Sequence, residues 1–553
     1  MKKTLSLVLM LVFALSCMSV FAEEDNFPFT DPNVTAPGTL PICKERVTVS
    51  IGVSQNSNII DYYTNWSVQY VQDRCNVDIE WVLFPATDAD AESKLDLMIA
   101  SGAELPDVIT FGLNDTTALK YGQAGVYIPL NKYYDNGGAA FLNARMEEVG
   151  QPNFLNYLTS PDGNIYVLGR NNSSFGNVVA YRAWLNMDWM KALDLEEPQT
   201  IDDLLDVLRH FRDDDPNGNG IADEIPMVSS AAGWAANAFA YILDMFDYYD
   251  SYGNYHVVED GVLDVVYDRE TYRDALRLAK QMVDEGLLSE LSFTQDFASL
   301  AAMGASDPQI AGLLVCGSKS SFGNNFDSYT CMINVEGPDG HKAVTKTPQI
   351  PTMMCAITSS CKNPDVAFRL MESLYGDTTW ETIQYLGQPD VDWKDLTDEE
   401  RVEYDIGIPG NKFVLRLKPI HGQVQNSNLQ QTVFPTLTTS AGIPQYIVAD
   451  ADGNVDMAQV LKTREQNARY DELKKSFPAE CVEKIIYTAE EIDAWSELRT
   501  VILNYVNECQ ARFIVGDMDI ENDWDTYLAE LEKMNYEGLL EMDREAYNRT
   551  MGK

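Results

Sequence analysis

A mixed α/β protein built as two lobes is what the sequence predicts, and three observations carry the prediction. Stretches of strand and helix character alternate β-α-β-α-β between residues 47 and 111, an order that implies a parallel sheet with helices on its faces. A second α/β region follows before the chain returns to the first near Ile350. The 553 residues, 45% of them hydrophobic, suffice for two or more domains with ample core.

Residues 1–22 read as a secretory signal peptide, with Lys2 and Lys3, an apolar run from Leu5 to Leu15, and small residues ahead of an acidic start. Val20-Phe21-Ala22 fits cleavage before Glu23, while the imperfect lipobox Ala14-Leu15-Ser16-Cys17 makes a lipid anchor at Cys17 the alternative. No other stretch approaches the roughly 18 apolar residues of a membrane span. Residues 23–43, with Pro28, Pro32, Pro37 and Pro41, read as a flexible leader.

The first lobe then opens with a strand at Val47–Ile51, an aromatic-rich helix near Ile60–Gln72, a strand at Val77–Phe84, a helix at Ala91–Ala100 and a strand at Leu105–Phe111. Ligands of such sheets sit beyond the carboxyl ends of the strands. That rule selects Gln55 and Asn56, and Asn114 and Asp115. A turn at Pro161–Asn164 leads into Ile165–Leu168, and Val178–Trp184 reads as another strand. A helix starts at Met187–Leu193. The next has Ile201, Leu204, Leu205, Leu208 and Phe211 at helical spacing, with a capping box of Thr200 and Asp203. Trp234 opens a helical run, Ala235–Phe246, and Tyr272–Glu285 is an amphipathic helix stopped by Gly286. A polar turn, Ser318–Ser321, follows the apolar Ile310–Cys316. Near the end, Trp495, Leu498, Ile502 and Tyr505, then Trp524, Tyr527, Leu528, Leu531 and Met534, form stripes suited to packing. The expected organisation is therefore an N-lobe over 44–165 with a return segment at about 350–430, a C-lobe over 166–349, and a helical part over 431–553 packing on the C-lobe.

A formal charge of −45 argues against nucleic acid or an anionic membrane as partner, since both would repel the chain. The nine cysteines show no CxxC zinc spacing. Cys316 with Cys331, or Cys43 with Cys75, would be topologically easy disulfides; buried thiols are the alternative. The sequence holds no HExxH, GxSxG or P-loop, and its four histidines lie far apart. With 85 acidic residues a glycosidase pair could be drawn anywhere, so their abundance is no sign of one.

The motif with a defined chemistry is Asp215-Pro-Asn-Gly-Asn-Gly-Ile-Ala-Asp-Glu-Ile-Pro226. Side-chain oxygens at Asp215, Asn217 and Asn219, the Ile221 carbonyl, and the carboxylates of Asp223 and Glu224 supply the hard oxygens that calcium prefers. The twelfth position of an EF-hand is normally glutamate and is Pro226 here, so the loop is abbreviated. Its place between a capped helix and a short extended segment gives the ion a structural role. A plain Asx-rich turn is the competing reading.

Taken together the motifs resemble a known family. Arg182–Leu193, Asp215–Pro226, Glu285–Leu288, Ser359–Pro364 with Ala367, Val391-Asp-Trp393 and Ala511–Gly516 with Trp524-Asp525 and Tyr547–Arg549 keep the order and spacing of extracellular solute-binding proteins of ABC importers, in their large carbohydrate-type branch. The resemblance implies a two-lobed periplasmic-binding-protein (type II) fold with a hinge and an interlobe cleft. It implies a sugar or oligosaccharide ligand, a membrane permease as partner, a monomer, and no catalysis. In the alginate-oligosaccharide-binding relatives the same loop holds structural calcium. Candidate ligand contacts are Gln55, Asn56, Asn114, Asp115, Arg170, Asn171, Trp234, Lys319 and Trp393, because sugars offer hydroxyls to polar side chains and C–H faces to aromatic rings. Arg170 with Lys319 would suit an acidic sugar. A peptide or other solute, or a secreted carbohydrate-active enzyme, are the alternatives. The stretch Tyr385–Asp390 departs from the family pattern.

Overall fold

The computed structural model describes residues 28–551, apart from 56–58, 60, 173–177, 180, 250–253, 349, 377–379, 381–382, 384–386, 405–412, 417–432, 436, 439–444, 449–454, 456, 483 and 489. The signal peptide, Cys17 and Asn56 lie outside the described residues. In chain order the strands are β1 (Val47–Ser54), β2 (Val77–Phe84), β3 (Val108–Ile109), β4 (Val167–Asn172), β5 (Ala183–Asn186), β6 (Ile225–Val228), β7 (His256–Glu259) and β8 (Val262–Val265). There follow β9 (Ala311–Val315), β10 (Tyr329–Cys331), β11 (Thr352–Ile357), β12 (Trp393–Asp395), β13 (Phe413–Arg416), β14 (Leu437–Thr438) and β15 (Gln445–Val448). The chain divides into two compact units, one of Met1–Arg170, Pro351–Gln388 and Gln423–Leu437, the other of Asn171–Ile350, Pro389–Gly422 and Thr438–Lys553.

Unit 1 is organised on a six-stranded sheet of order β14-β4-β11-β3-β1-β2. β1 pairs in parallel with β2, from Val47 opposite Val77 to Ser54 opposite Phe84, and in parallel with β3. The expected parallel β-α-β order is thus present. The sheet is nevertheless mixed, because β11 runs antiparallel to both β3 and β4. The helix after β1 spans Trp66–Cys75 and is capped by Asn65, whose side chain accepts from Ser67 N. It starts later than the apolar spacing suggests, because Asp61 first folds its neighbours into an Asx turn, accepting from Tyr63 N at 2.8 Å.

The expected flexible leader is a correction, for its described part is packed. Phe29, Val34, Ile42 and Cys43 are buried in the unit 1 core. Asp365 accepts from Thr30 N at 2.6 Å, Asp31 N at 2.9 Å and the Tyr133 hydroxyl at 2.7 Å. Arg369 donates to the carbonyls of Ala36 and Thr39, and its other partner is Glu372 at 2.7 Å, with both side chains fully buried. The prolines set the backbone of this stretch without keeping it in solvent. A second difference concerns the C-terminal part, since Val433, Phe434 and Leu437 belong to the unit 1 core.

Unit 2 carries a four-stranded sheet of order β10-β5-β9-β6, a three-stranded sheet β12-β13-β15 and the hairpin β7–β8. β6 and β9 are parallel, and β5 is antiparallel to β9 and β10. The strand expected at Val178–Trp184 begins only at Ala183. The capping box is formed as expected: Asp203 N donates to Thr200 Oγ1 at 3.2 Å, and Thr200 N to Asp203 Oδ2 at 3.0 Å. Helices Glu270–Asp284 and Ile492–Val515 share one core, in which Ile502 of the first C-terminal stripe and Trp524, Tyr527 and Leu531 of the second are buried, so both stripes are packing faces. Trp234 does not open a helix. Gly233 at φ 130° and Ala235 at φ 49° hold it in a loop, and the helix is Ala238–Leu243, capped by Asn237.

The described cysteines are free thiols. A Cys316–Cys331 bridge is excluded by topology: β5 lies between β9 and β10, so the two residues stand two strand spacings apart, roughly 10 Å. That exceeds the Cα separation of a disulfide.

Candidate functional site

Pairing directions bring one set of candidates to one end of the unit 2 sheet. The carboxyl ends of the parallel β6 and β9 face the same way, and antiparallel β5 starts there, with Ala183 opposite Val315. Trp234 follows β6, Gly317 and Lys319 follow β9, and Arg182 precedes β5. This is the end at which parallel α/β sheets hold ligands.

Trp234 is 50% exposed, a high value for an indole with a fixed seat. Gly317 N donates to the Trp234 carbonyl at 2.9 Å, and the ring lies so close over Gly317 that a Cβ there would be 2.4 Å from Trp234 Cε3. Glycine is the residue that permits this approach. Arg182 is 5% exposed, and its guanidinium carbon lies 5.3 Å, 5.5 Å and 5.4 Å from the ring centroids of Trp184, Trp234 and Tyr470. It donates to the Tyr470 hydroxyl at 2.8 Å and to the Gly317 carbonyl. Lys319 donates to the Tyr329 carbonyl at 2.6 Å and sits 4.3 Å from the Phe326 ring centroid. Burial pulls its pKa down to about 8. The loop is tied from behind by Ser229 Oγ to the Val315 carbonyl at 2.9 Å and by Gln295 Nε2 to the Ser229 carbonyl at 2.6 Å. The product is an aromatic face held open to solvent on a rigid seat.

Unit 1 gathers a second set. β1, β3 and β4 share one direction, because β11 is antiparallel to both β3 and β4. Gln55, Asn114, Asp115 and Arg170 therefore lie at one end of that sheet. Gln55 is exposed. Asn114 has a structural role, capping the helix Asp115–Gln123 by accepting from Thr117 N at 2.9 Å. Asn171 and Trp393 belong instead to unit 2 and are buried, Trp393 at 3% exposure in β12, so Trp393 is an interior ring and not the stacking surface expected of it. Tyr63, 56% exposed in the loop after β1, is a polar-tipped aromatic that sequence reasoning missed, its hydroxyl donating to the Trp81 carbonyl at 3.5 Å. The adjacent Asp61 turn was the signal available for it.

The loop after helix Ile201–Asp213 curls as its composition requires. Asp215, at φ 47°, accepts from Asn219 N at 3.1 Å and Gly220 N at 3.0 Å, while Gly218 and Gly220 adopt the positive φ that glycine allows. Asn219 Oδ1 accepts from Ile221 N at 2.6 Å, and the amides of Asn217 and Asn219 donate to Asp223 at 3.2 Å and 3.0 Å. Ile225 N bonds to the Ile310 carbonyl at 2.7 Å, which joins the loop to β9. Glu224 Oε1 is buried with no hydrogen-bond partner among the described residues. Burial, then the charges of Asp223 and Asp215, raise the Glu224 pKa. A buried orphan oxygen beside two further carboxylates fits a hard cation, which Asp215, Asn217, Asn219, Ile221, Asp223 and Glu224 would hold. Among the described residues no group of three or more His, Cys, Asp or Glu is placed to hold a metal ion. In this loop two of the six donors are amides and one is a carbonyl.

The profile of the bacterial extracellular solute-binding proteins matches residues 67–379, more than half of the chain. The chain belongs to that family. Over 528 residues this solute-binding protein is 27% identical to the fructooligosaccharide ABC transporter substrate-binding protein FusA of Streptococcus pneumoniae serotype 4, covering 92% of this chain and 91% of FusA. The structure of S. pneumoniae FusA with kestose superposes with a TM-score of 0.73 at 23% identity, covering 91% of this chain and 99% of the other. The alginate-binding protein AlgQ2 without calcium ion gives a TM-score of 0.68 at 20% identity, with 93% and 100% covered. These neighbours share the two-lobed α/β fold. Among the described residues of this solute-binding protein, no helix is long and apolar enough to cross a membrane.

Proposed function

We propose that this solute-binding protein is the extracellular, substrate-capturing component of an ABC importer for an oligosaccharide, which it binds without altering and delivers to a membrane permease. The observation that carries the proposal is the half-exposed Trp234 indole seated on Gly317 at the carboxyl end of β6 and β9. An aromatic face fixed open to solvent matches the C–H face of a pyranose or furanose ring. Gln55, at the ligand end of the unit 1 sheet, supplies an amide group for sugar hydroxyls. FusA, similar along nearly the whole chain and named for fructooligosaccharides, supports the substrate class.

Calcium at Asp215–Glu224 is structural in this reading, binding the end of one helix to β6. It is supported by the orphan oxygen of Glu224 and by a structural neighbour described as an EF-hand mutant of FusA. Export follows cleavage after Ala22. The protein acts as a monomer that becomes more compact when it binds its ligand.

The test is a glycan-array and calorimetric screen of the mature chain, with chromatography of the best ligand after incubation. Tight binding with the ligand recovered intact is expected, together with compaction in small-angle scattering. Recovery of cleaved sugar would establish an enzyme and overturn the transport reading.

A further inference from the structure

Resting on the oligosaccharide reading above, we infer that the ligand of the Trp234 platform is a neutral saccharide and not a uronate or other acidic one. A site for acidic sugars needs a cation whose hydrogen-bond donors are available to the ligand's carboxylate, because desolvating an unpaired carboxylate is costly. Among the described residues, the two cations against the rings of the platform, Arg182 and Lys319, are both committed inside the protein.

Arg182 is enclosed by three aromatic rings and is 5% exposed. Its Nη1 donates to the Tyr470 hydroxyl and its Nη2 to the Gly317 carbonyl, the latter belonging to the residue that seats the indole. Turning the guanidinium to a ligand would unseat Trp234 itself. Lys319 spends a donor on the Tyr329 carbonyl at 2.6 Å, packs on Phe326, and lies 5.7 Å from the Trp184 ring centroid. Reaching a ligand would cost that bond and leave the carbonyl of Tyr329, a fully buried residue, without this donor. The expectation that Lys319 would pair with a sugar acid is therefore not met by its geometry.

Two further facts point the same way. The chain has 85 acidic against 40 basic side chains, so an acidic oligosaccharide approaches against a repulsive field. The exposed face of an indole is the negative end of its quadrupole, complementary to the electropositive C–H groups of a neutral ring. Between a neutral fructooligosaccharide, as in FusA, and an acidic glycan, as in the alginate-binding protein, the platform selects the first class.

The experiment compares kestose and maltotriose with trigalacturonate and an alginate trisaccharide, by calorimetry on the mature chain at low and at physiological salt. At least one neutral trisaccharide should bind with an affinity that changes less than about twofold with salt. The acidic ones should bind at least about 100-fold more weakly. An acidic trisaccharide that binds as tightly as the neutral ones, loses affinity as salt rises, and depends on Trp234 would overturn the inference while leaving the oligosaccharide reading intact. Failure of every saccharide class in the wider screen would overturn that reading, and this inference with it.

Discussion

Gly317→Ala tests the platform with the smallest possible change. The added Cβ would lie 2.4 Å from Trp234 Cε3 and 2.5 Å from Cδ2, separations that real Cβ atoms essentially never show. Something must move, and the indole is the freer partner because it is 50% exposed. Relief by that route keeps the folding cost near the low end of overpacking, about 1 kcal/mol. The effect on binding is larger, because the displaced ring no longer presents its face. A stacked aromatic anchor contributes roughly 1–3 kcal/mol, which is about 5- to 150-fold in Kd. Calorimetry with the best oligosaccharide should show a loss in that range for Gly317→Ala and a similar one for Trp234→Ala. The double variant should lose no more than Trp234→Ala alone, since both substitutions act through one ring. Full affinity in a folded Gly317→Ala protein, or losses that simply add, would refute the seat-and-platform reasoning.

Calcium removal should lower the melting temperature of the wild type and leave Asp215→Ala unchanged, with about 2.7 kcal/mol at stake when calcium is at 100 times its Kd; an unmoved wild-type transition after verified chelation would end the structural role. Asp244 is buried, and burial raises its pKa to about 7 even though Thr345 donates to it through Oγ1 at 2.6 Å. Its folded pKa exceeds the unfolded value, so the native state keeps a proton that the unfolded chain releases, and this contribution to stability is full below about pH 4 and is lost as pH rises through about 7. Urea midpoints should therefore fall more steeply from pH 5 to 7.5 in wild type than in Asp244→Asn, and parallel profiles would count against it. Glu372→Ala should cost roughly 3–5 kcal/mol in urea unfolding, because it strands the buried Arg369 and removes the acceptor for Phe141 N at 2.6 Å and Leu142 N at 3.1 Å. Glu372→Gln keeps an acceptor for those amides and should cost less. Mass spectrometry of the native protein should find Glu23 at the mature N-terminus, and a diacylated Cys17 would contradict it.

Some of this protein can be read from short stretches of chain. The Thr200–Asp203 box, the β1-β2 alternation and the oxygens of Asp215–Glu224 were all legible, because each is settled by hydrogen bonds or periodicity spanning a few residues. The family motifs were legible for a related reason, being runs of adjacent residues. Other features depend on partners far away in sequence. The proline-rich stretch after the signal peptide looked flexible, yet it is anchored by Asp365, which lies 335 residues beyond Thr30. Trp393 and Trp234 both looked like sugar platforms, and only packing separates them into an interior ring and an open one. Arg182 stood in plain view within a motif, but its role waits on Gly317, 135 residues later, and on Tyr470, 288 residues later. Local chemistry determines which elements form and which atoms a loop offers. Which faces are buried, and which cations remain available to a ligand, is decided by long-range contacts, because burial and hydrogen-bond competition are properties of the packed chain as a whole.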